Sequence, residues 1–355
     1  MQTVVGLMSG TSMDGIDAAL VRTDGETRVE GLDFLTLPYS DGFRGRLRGC
    51  LGGRGDVADV ERDLTEEHAR AVRLLLDKAG VDRDGVDLIG FHGHTILHAP
   101  EQRRTWQIGD AALLARLTGI GVVADFRTAD VASGGQGAPL VPLFHQALAE
   151  GLPRPLAVLN LGGVGNVTWI GRDGDDVVAC DTGPANAMVD DWVLARTGAR
   201  FDENGALAAR GRVDEGALAA LLANPYFDRP APKSLDRDAF DAAPVQGLSA
   251  EDGAATLTAF AAAAVARVVP HLPEPPVRWI VSGGGRHNGT LMRMLRERLG
   301  VPVDNADGLG WNGDALEAEA FAYLAVRSRK GLPLSLPTTT GVPEPVTGGR
   351  FHPAA

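Results

Sequence analysis

The chain has 355 residues, 44% of them hydrophobic and 23% charged, a balance that supports a packed globular core and excludes a disordered or disulfide-stapled chain. Its formal net charge of −12 argues against binding a phosphate backbone, so nucleic acid is not an expected partner. Two cysteines, Cys50 and Cys180, fit a reducing compartment, and with no signal peptide or uncharged bilayer-length stretch the expectation is cytoplasmic, without a membrane partner.

Thr3–Met8 reads as a buried strand and Ile16–Arg22 as its hairpin partner. Asp59–Ala79 has apolar residues at helical spacing. "DLIGFHGHTIL" is a strand entering a polar stretch, "DAALLARLTG" a helix ending on Gly119, and "IGVVADF" a short strand. A second block opens near Leu156, where "PLAVLNLGGVGNVTWI" again places a Gly-rich turn between two apolar runs. "DVVACDTGPANAMVDDW" is a strand, a turn and a helix from about Ala187. "LTAFAAAAVARVV" is a helix, "VRWIVSGGGRHNGTLMRMLRERLG" a strand, three glycines and a helix, and "DALEAEAFAYLAVRSRKG" a last long helix. The tail after Leu332 is rich in Pro, Thr and Gly and is expected to run extended over the surface. Two α/β blocks, each opened by a hairpin with a Gly-rich turn, suggest an internal duplication with a ligand held between two halves.

The first turn, "GLMSGTSMDGIDAAL", puts Gly10, Thr11, Ser12, Met13, Asp14 and Gly15 on a tight bend ahead of Ile16 and Asp17. Glycines allow close backbone approach, hydroxyls donate, and successive N–H groups can cradle an anion. Asp14 and Asp17 could hold a magnesium ion through water. An ordinary hairpin turn uses the same residue types. Asn160, Gly162, Gly163 and Asn166 form a second such turn, and Gly283, Gly284 and Gly285 a third. Three together point to a nucleotide. No lysine stands in Gly-Lys-Ser/Thr, so a Walker P-loop is absent, and so is the protein-kinase motif set. The third turn, with Asp304 about 20 residues on, imitates a dinucleotide fingerprint, but the last glycine position is Asn288.

Asp181 ends a strand on a turn, where a carboxylate can serve as general base or hold a metal-bound water; capping the next helix is the plainer alternative. Cys180, directed to the opposite side, reads as core. His92, His94 and His98 share a parity and would line one strand face, as sugar-pocket polarity more readily than as a zinc site. Arg127, Asp130, Gln136 and His145 lie around glycines, a mixture suited to a hydroxylated, carboxylated ligand.

"GLMSGTSMDGIDAAL", "VADFR..D.A.GGQGAPLVP.FH", "LNLGGVGNVT", "DTGPAN" and "SGGGRHN", in this order, closely resemble the anhydro-N-acetylmuramic acid kinase family, from about residue 3 to 330. The resemblance implies an α/β fold of two ribonuclease-H-like, actin-like ATPase domains with a nucleotide and sugar cleft between them, the first covering 1–130 plus the tail from about 335 to 355, the second 131–334. It implies ATP and magnesium, a small anhydro-sugar substrate, and a homodimer. Gly10, Thr11, Ser12, Met13, Asp14, Gly15, Ile16 and Asp17 would hold the ATP phosphates, with Asp14 on magnesium through water. Asn160, Gly162, Gly163, Asn166 and Gly283–Gly285 would complete the nucleotide site. Gln107, Gly109, Arg127, Asp130, Asn186 and Glu317 would line the sugar pocket, and Asp181 would be the base. Two positions depart from the family pattern: Ala185 replaces a glycine and His94 a glutamine. The same chemistry on 1,6-anhydroglucose and a non-catalytic nucleotide-binding regulator are the alternatives.

Overall fold

The computed structural model describes residues 1–10, 12–173, 176–236 and 239–354. Thr11 therefore lies outside the described residues. The chain forms two compact units, Met1–Glu150 with Ala315–Ala355, and Gly151–Asp314.

Unit 1 begins with three antiparallel strands, β1 (Gln2–Ser9), β2 (Gly15–Thr23) and β3 (Val29–Pro38). Two helices follow, α1 (Asp41–Gly49) and α2 (Val57–Ala79). The N-cap of α2 is Asp56, which accepts the Asp59 N–H, and the helix stops on left-handed Gly80. Its buried stripe of Val60, Leu64, Val72, Leu75 and Leu76 follows the spacing seen in the sequence. Then come β4 (Leu88–Ala99), β5 (Arg104–Ile108), α3 (Ala111–Thr118), β6 (Val122–Ala124), α4 (Thr128–Ala132) and α5 (Pro142–Leu148).

Unit 2 repeats the plan. Strands β7 (Leu156–Leu161), β8 (Val164–Ile170) and β9 (Val177–Pro184) are antiparallel. Helices α6 (Asn186–Thr197), α7 (Glu215–Leu222) and α8 (Ala250–Val268) lead to β10 (Arg278–Ser282), α9 (Gly289–Leu299) and β11 (Val303–Asn305). The order β6-β4-β1-β2-β3 in unit 1 matches β11-β10-β7-β8-β9 in unit 2, with the first two strands of each series parallel to the central one. The duplication suggested by two Gly-rich hairpins is thus a duplication of sheet topology.

The chain returns to unit 1 through α10 (Leu316–Arg329), α11 (Pro337–Thr340) and β12 (Arg350–His352). The contact boundaries fall at 150/151 and 314/315 rather than at 130/131 and 334/335. Two packing facts explain the difference. Helix α10 lies against β1 and β4 at Gly6 and Gly90, where a Cβ would strike the carbonyls of Ala318 and Phe321. The loop after α4 is tied to α11 by Gln136 N–H to Thr340 O, at 2.7 Å, and Thr340 Oγ1 to Asp130, at 2.6 Å. The tail runs over the surface only in part: Leu334, Ser335, Thr339, Thr340 and Val342 are buried, while 343–354 are exposed or half-buried, with β12 extending the sheet beside β6.

The core of unit 2 centres on α8, whose alanines let it sit deep among Trp192, Phe227 and Trp279. Ala250–His271, which carries Glu251, Asp252 and Arg267, is by length and composition apolar enough to cross a bilayer, yet 78% of its apolar window is buried within the structure.

One buried group in unit 1 is poorly accommodated. Glu319 on α10 faces Gly31 of β3, and its carboxyl has no hydrogen-bonding or cationic partner among the described residues. Burial pushes its pKa up to about 7. A raised folded-state pKa gives stability that is complete below the unfolded value and is lost as pH rises through 7. The stability of the wild type relative to Glu319→Gln should fall by up to about 3 kcal/mol between pH 4.5 and 7.5. Urea unfolding of both proteins across that range checks this; a constant difference would show that Glu319 does not titrate there.

Candidate active site

In unit 1 the β1–β2 turn is closed by Met13 N–H to Gly10 O at 3.0 Å. Met13 takes a left-handed φ of 58° and turns its side chain into the core, while Ser12 and Asp14 stay exposed. Gly15 and Ile16 are strand residues, paired with Pro38 and Leu37, and the Ile16 side chain is buried. Asp17 accepts the Thr36 hydroxyl at 2.6 Å. The turn is held from beneath. Tyr39 N–H donates to Asp14 O at 3.0 Å, and buried Ser9 Oγ lies 2.7 Å from Tyr39 Oη and 2.9 Å from His94 Nδ1.

The three histidines of β4 do not share a face. Gly93 adopts a φ of 73°, and the ladder to β5 shifts between Thr95 and Leu97, so alternation is broken twice. His94 packs under the first turn, and exposed His98 meets Thr105. His92 receives Arg127 Nε–H on Nε2 at 2.9 Å. A guanidinium only donates, so the His92 proton sits on Nδ1, where it is given to Gly93 O. Burial holds His92 well below the usual imidazole range, and burial brings His94 down to about 4, so both are neutral at pH 7. No cluster of three or more metal-ligating side chains exists among the described residues, which removes the zinc reading.

Arg127 also donates Nη1–H to Gly137 O at 2.7 Å, leaving Nη2 without a protein acceptor among the described residues; the Glu317 carboxylate lies within electrostatic reach. Asp130 is buried with both oxygens used, by Gly137 N–H at 2.6 Å and by Thr340 Oγ1–H at 2.6 Å. Its place is behind the glycine loop rather than on a pocket wall. Gln107 on β5 gives Nε2–H to Thr95 and Thr105, and the Gly109 N–H goes to Glu61.

In unit 2 the predicted turns converge. Asn160, the penultimate residue of β7, is paired with Asn166 and Ser282 on its two neighbours. The carbonyl of Gly163 accepts from Ala185 and Ala187 N–H, and that of Gly162 from Asn186 N–H, at 3.0–3.1 Å. Asn186 Nδ2–H reaches Leu161 O at 2.8 Å. Gly283, with φ 73°, and Gly285 press on Asn160, Leu161 and Asn186, where any Cβ would clash, while Gly284 borders open space. The substituted Ala185 has φ −118°, outside the left-handed region, so its methyl group brings no φ > 0 strain.

Arg286 follows the glycines and was not singled out in the sequence. Its side chain is 2% exposed. It makes two 2.8 Å bonds to Asp314, one of 3.0 Å to Asp307 and one of 3.0 Å to Gly283 O. The turn is thereby locked to the segment leading out of the unit. Asp304, the acidic residue of the dinucleotide imitation, is bound instead by Arg278 at 2.6 Å.

Asp181 stands on β9 opposite Asn166. It is half-buried at its surface and enclosed by protein around it. Its N–H donates to Lys233 O at 2.9 Å, its carbonyl accepts the Tyr226 hydroxyl at 2.7 Å, and its Oδ2 accepts Leu235 N–H at 2.7 Å. Oδ1 has no protein donor among the described residues. Burial raises the carboxyl pKa to about 7, against the opposing pull of the Leu235 N–H and the Lys233 charge. Neighbouring Cys180 is wholly buried, with its thiol pushed up to about 12, a core residue as its parity suggested. Lys233, also missed in the sequence, is itself buried.

The family model for anhydro-N-acetylmuramic acid kinase matches residues 2–354. The anhydro-N-acetylmuramic acid kinase of Rhodospirillum rubrum is 60% identical over 356 residues, covering 99% of this chain and 94% of the relative. That of Paramagnetospirillum magneticum is 59% identical, covering 98% and 99%. Among solved structures, component A of (R)-2-hydroxyglutaryl-CoA dehydratase from Acidaminococcus fermentans superposes with a TM-score of 0.50 at 13% identity, over 92% of this chain and 99% of that one, a likeness of fold alone. With its family model spanning nearly every residue and its relatives matched end to end, the chain belongs to the anhydro-N-acetylmuramic acid kinase family and is a kinase.

Proposed function

We propose that this kinase uses ATP and water to open the 1,6-anhydro ring of 1,6-anhydro-N-acetylmuramic acid, yielding N-acetylmuramic acid 6-phosphate and ADP, a step in recycling cell-wall sugar. The chemical difficulty is that the bridging oxygen carries no proton. It becomes a nucleophile only as its bond to the anomeric carbon breaks, leaving positive charge there as in glycoside hydrolysis. Water bonds to that carbon from the opposite face. The freed O6 electron pair bonds to the γ-phosphorus, and the bond from phosphorus to ADP breaks. The water proton passes to Asp181.

The environment of Asp181 carries this reading. A general base works best with a pKa near the operating pH, and burial brings this carboxyl to about 7. One oxygen is fixed by Leu235 N–H and the other is unclaimed by protein donors among the described residues, which suits it to receive a water proton. Arg127 supports the sugar assignment, because its unclaimed Nη2 can bind a lactyl carboxylate. Gln107, Gly109, Asn186 and Glu317 complete the proposed sugar contacts, with Asp130 fixing the loop behind Arg127.

The ATP phosphates are assigned to the Gly10–Asp17 turn and to the glycine turns of unit 2. The donors at the first turn fit magnesium: exposed Asp14 and Ser12 are hard oxygen groups, and no protein cage is needed for an ion that keeps water and phosphate ligands. Bound there through water to Asp14, the ion would neutralise phosphate charge.

Asp181→Asn should fold as the wild type does and lose at least about 100-fold in kcat. In the wild type, kcat/KM should fall as pH drops through about 7, where Asp181 gains its proton. Steady-state assays and a thermal melt test both; near-normal turnover by the Asn variant removes Asp181 as base. In ¹⁸O-labelled water the label should appear at the anomeric carbon of the product by mass spectrometry, and a label-free product rejects hydrolytic opening. Faster turnover of 1,6-anhydroglucose than of the muramic sugar would move the assignment to the simpler substrate. Arg286→Lys, which cannot make the paired bonds to Asp314, should raise KM for ATP about tenfold while leaving the sugar KM within about threefold.

A further inference from the structure

The segment that clamps Asp181 also delivers a buried cation, and no role has so far been given to it. Lys233 is 4% exposed. Its Nζ donates to Tyr226 O at 3.1 Å and stands 4.5 Å from the centre of the Tyr226 ring. The hydroxyl of that same tyrosine donates to Asp181 O, and the Lys233 carbonyl accepts the Asp181 N–H. Tyr226 and the 233–235 segment therefore fix acid and cation in one rigid assembly. A long ammonium side chain is seldom buried without an electrostatic reason, since desolvation opposes it.

We propose that Lys233 is a positioning residue for Asp181, its buried ammonium group supplying the counter-charge that keeps the Asp181 carboxylate ionised and ready to accept the water proton. This rests on Asp181 being the base. Among the described residues the charges around the pair are few. Asp181 is influenced by Lys233, and Tyr226 and Cys180 lie beside it with their protons held firmly by burial. Lys233 also feels Arg229 and Asp228, whose opposite charges offset one another. Asp181 and Cys180 remain as its neighbours on β9. An opposite charge close to a carboxylate lowers its pKa, so without Lys233 the burial of Asp181 would act with less opposition.

The test is the pH dependence of kcat/KM in Lys233→Met and Lys233→Arg, with thermal melts on both. In the Met variant the acidic limb should move up by about one pH unit or more. Turnover below pH 7 should fall about tenfold and recover at high pH, with KM for ATP and sugar each within about threefold. The Arg variant, keeping the charge, should hold the limb within about half a unit and restore at least tenfold of the low-pH loss. A Met variant with reduced rate but an unmoved limb overturns the proposal. If the Met variant does not fold, the Arg variant decides, because a limb displaced as burial alone would displace it also overturns the proposal. Difference infrared titration of the Asp181 carboxyl, identified with Asp181→Asn, reads the same shift without turnover. Failure of the base assignment, seen as activity in Asp181→Asn, is thus separable from failure of the counter-charge.

Discussion

The arrangement of unit 2 depends on how one carboxylate is held. A base that takes a proton from water must be dry enough for its proton affinity to rise, yet keep one oxygen open. Asp181 meets both demands because its restraints are mostly backbone groups. Its N–H, its carbonyl and one carboxylate oxygen are each engaged, by Lys233 O, Tyr226 Oη and Leu235 N–H. Backbone donors fix a position without adding a full charge. The positive charge of Lys233 is itself immobilised by a carbonyl and an aromatic ring. The carboxyl pKa near 7 is the balance of these opposing influences, with burial the largest.

The glycine turns obey a different constraint, the fit of backbone on backbone. Gly162 and Gly163 offer carbonyls to the first N–H groups of the β9–α6 turn, and Gly283 and Gly285 fit where no side chain can. Arg286 then fastens the third turn through four bonds. A surface held in this way needs little ordering when a ligand binds, which suits the phosphate role proposed for it. In unit 1 the brace beside the first turn is built from side chains, Ser9, Tyr39 and His94.

What could be read from the sequence was local chemistry. Hairpins, capped helices and Gly-rich turns are written in adjacent residues, and β1, β2, α2, α3, β7, β8 and α9 appear where those signals place them. Asp181 was legible because a carboxylate between an apolar run and a Gly-Pro pair is a local pattern, although β9 does not end there but runs on to Pro184. Its partners were not, since Tyr226, Lys233 and Leu235 come from an irregular segment some fifty residues away, with no periodicity to betray it. The shared face of the β4 histidines was misread because alternation assumes an unbroken strand, and Gly93 breaks it. The edge strand β3 escaped notice because most of it is exposed or half-buried, so its hydrophobic pattern is weak. The tail looked wholly superficial because a three-residue strand and one turn of helix carry little signal, although Leu334, Ser335, Thr339, Thr340 and Val342 are buried.

The duplicated topology also shows where the chemistry departs from the repeat. Where the second and third strands meet beside each Gly-rich turn, unit 1 pairs Asp17 with Thr36 and unit 2 pairs Asn166 with Asp181. The carboxylate has moved from the second strand to the third. In unit 1 a hydroxyl donates to it at 2.6 Å, an ordinary polar setting. In unit 2 it faces residues 226–235, part of the stretch between α6 and α8. Unit 1 has α1, α2 and a single 3-10 turn (Arg83–Gly85) between its third and fourth strands. Duplication therefore accounts for two sheets and two Gly-rich hairpins, but not for a carboxylate with raised proton affinity. That property comes from the additional segment of unit 2, which brings a tyrosine, a lysine and a backbone N–H to Asp181 within β9.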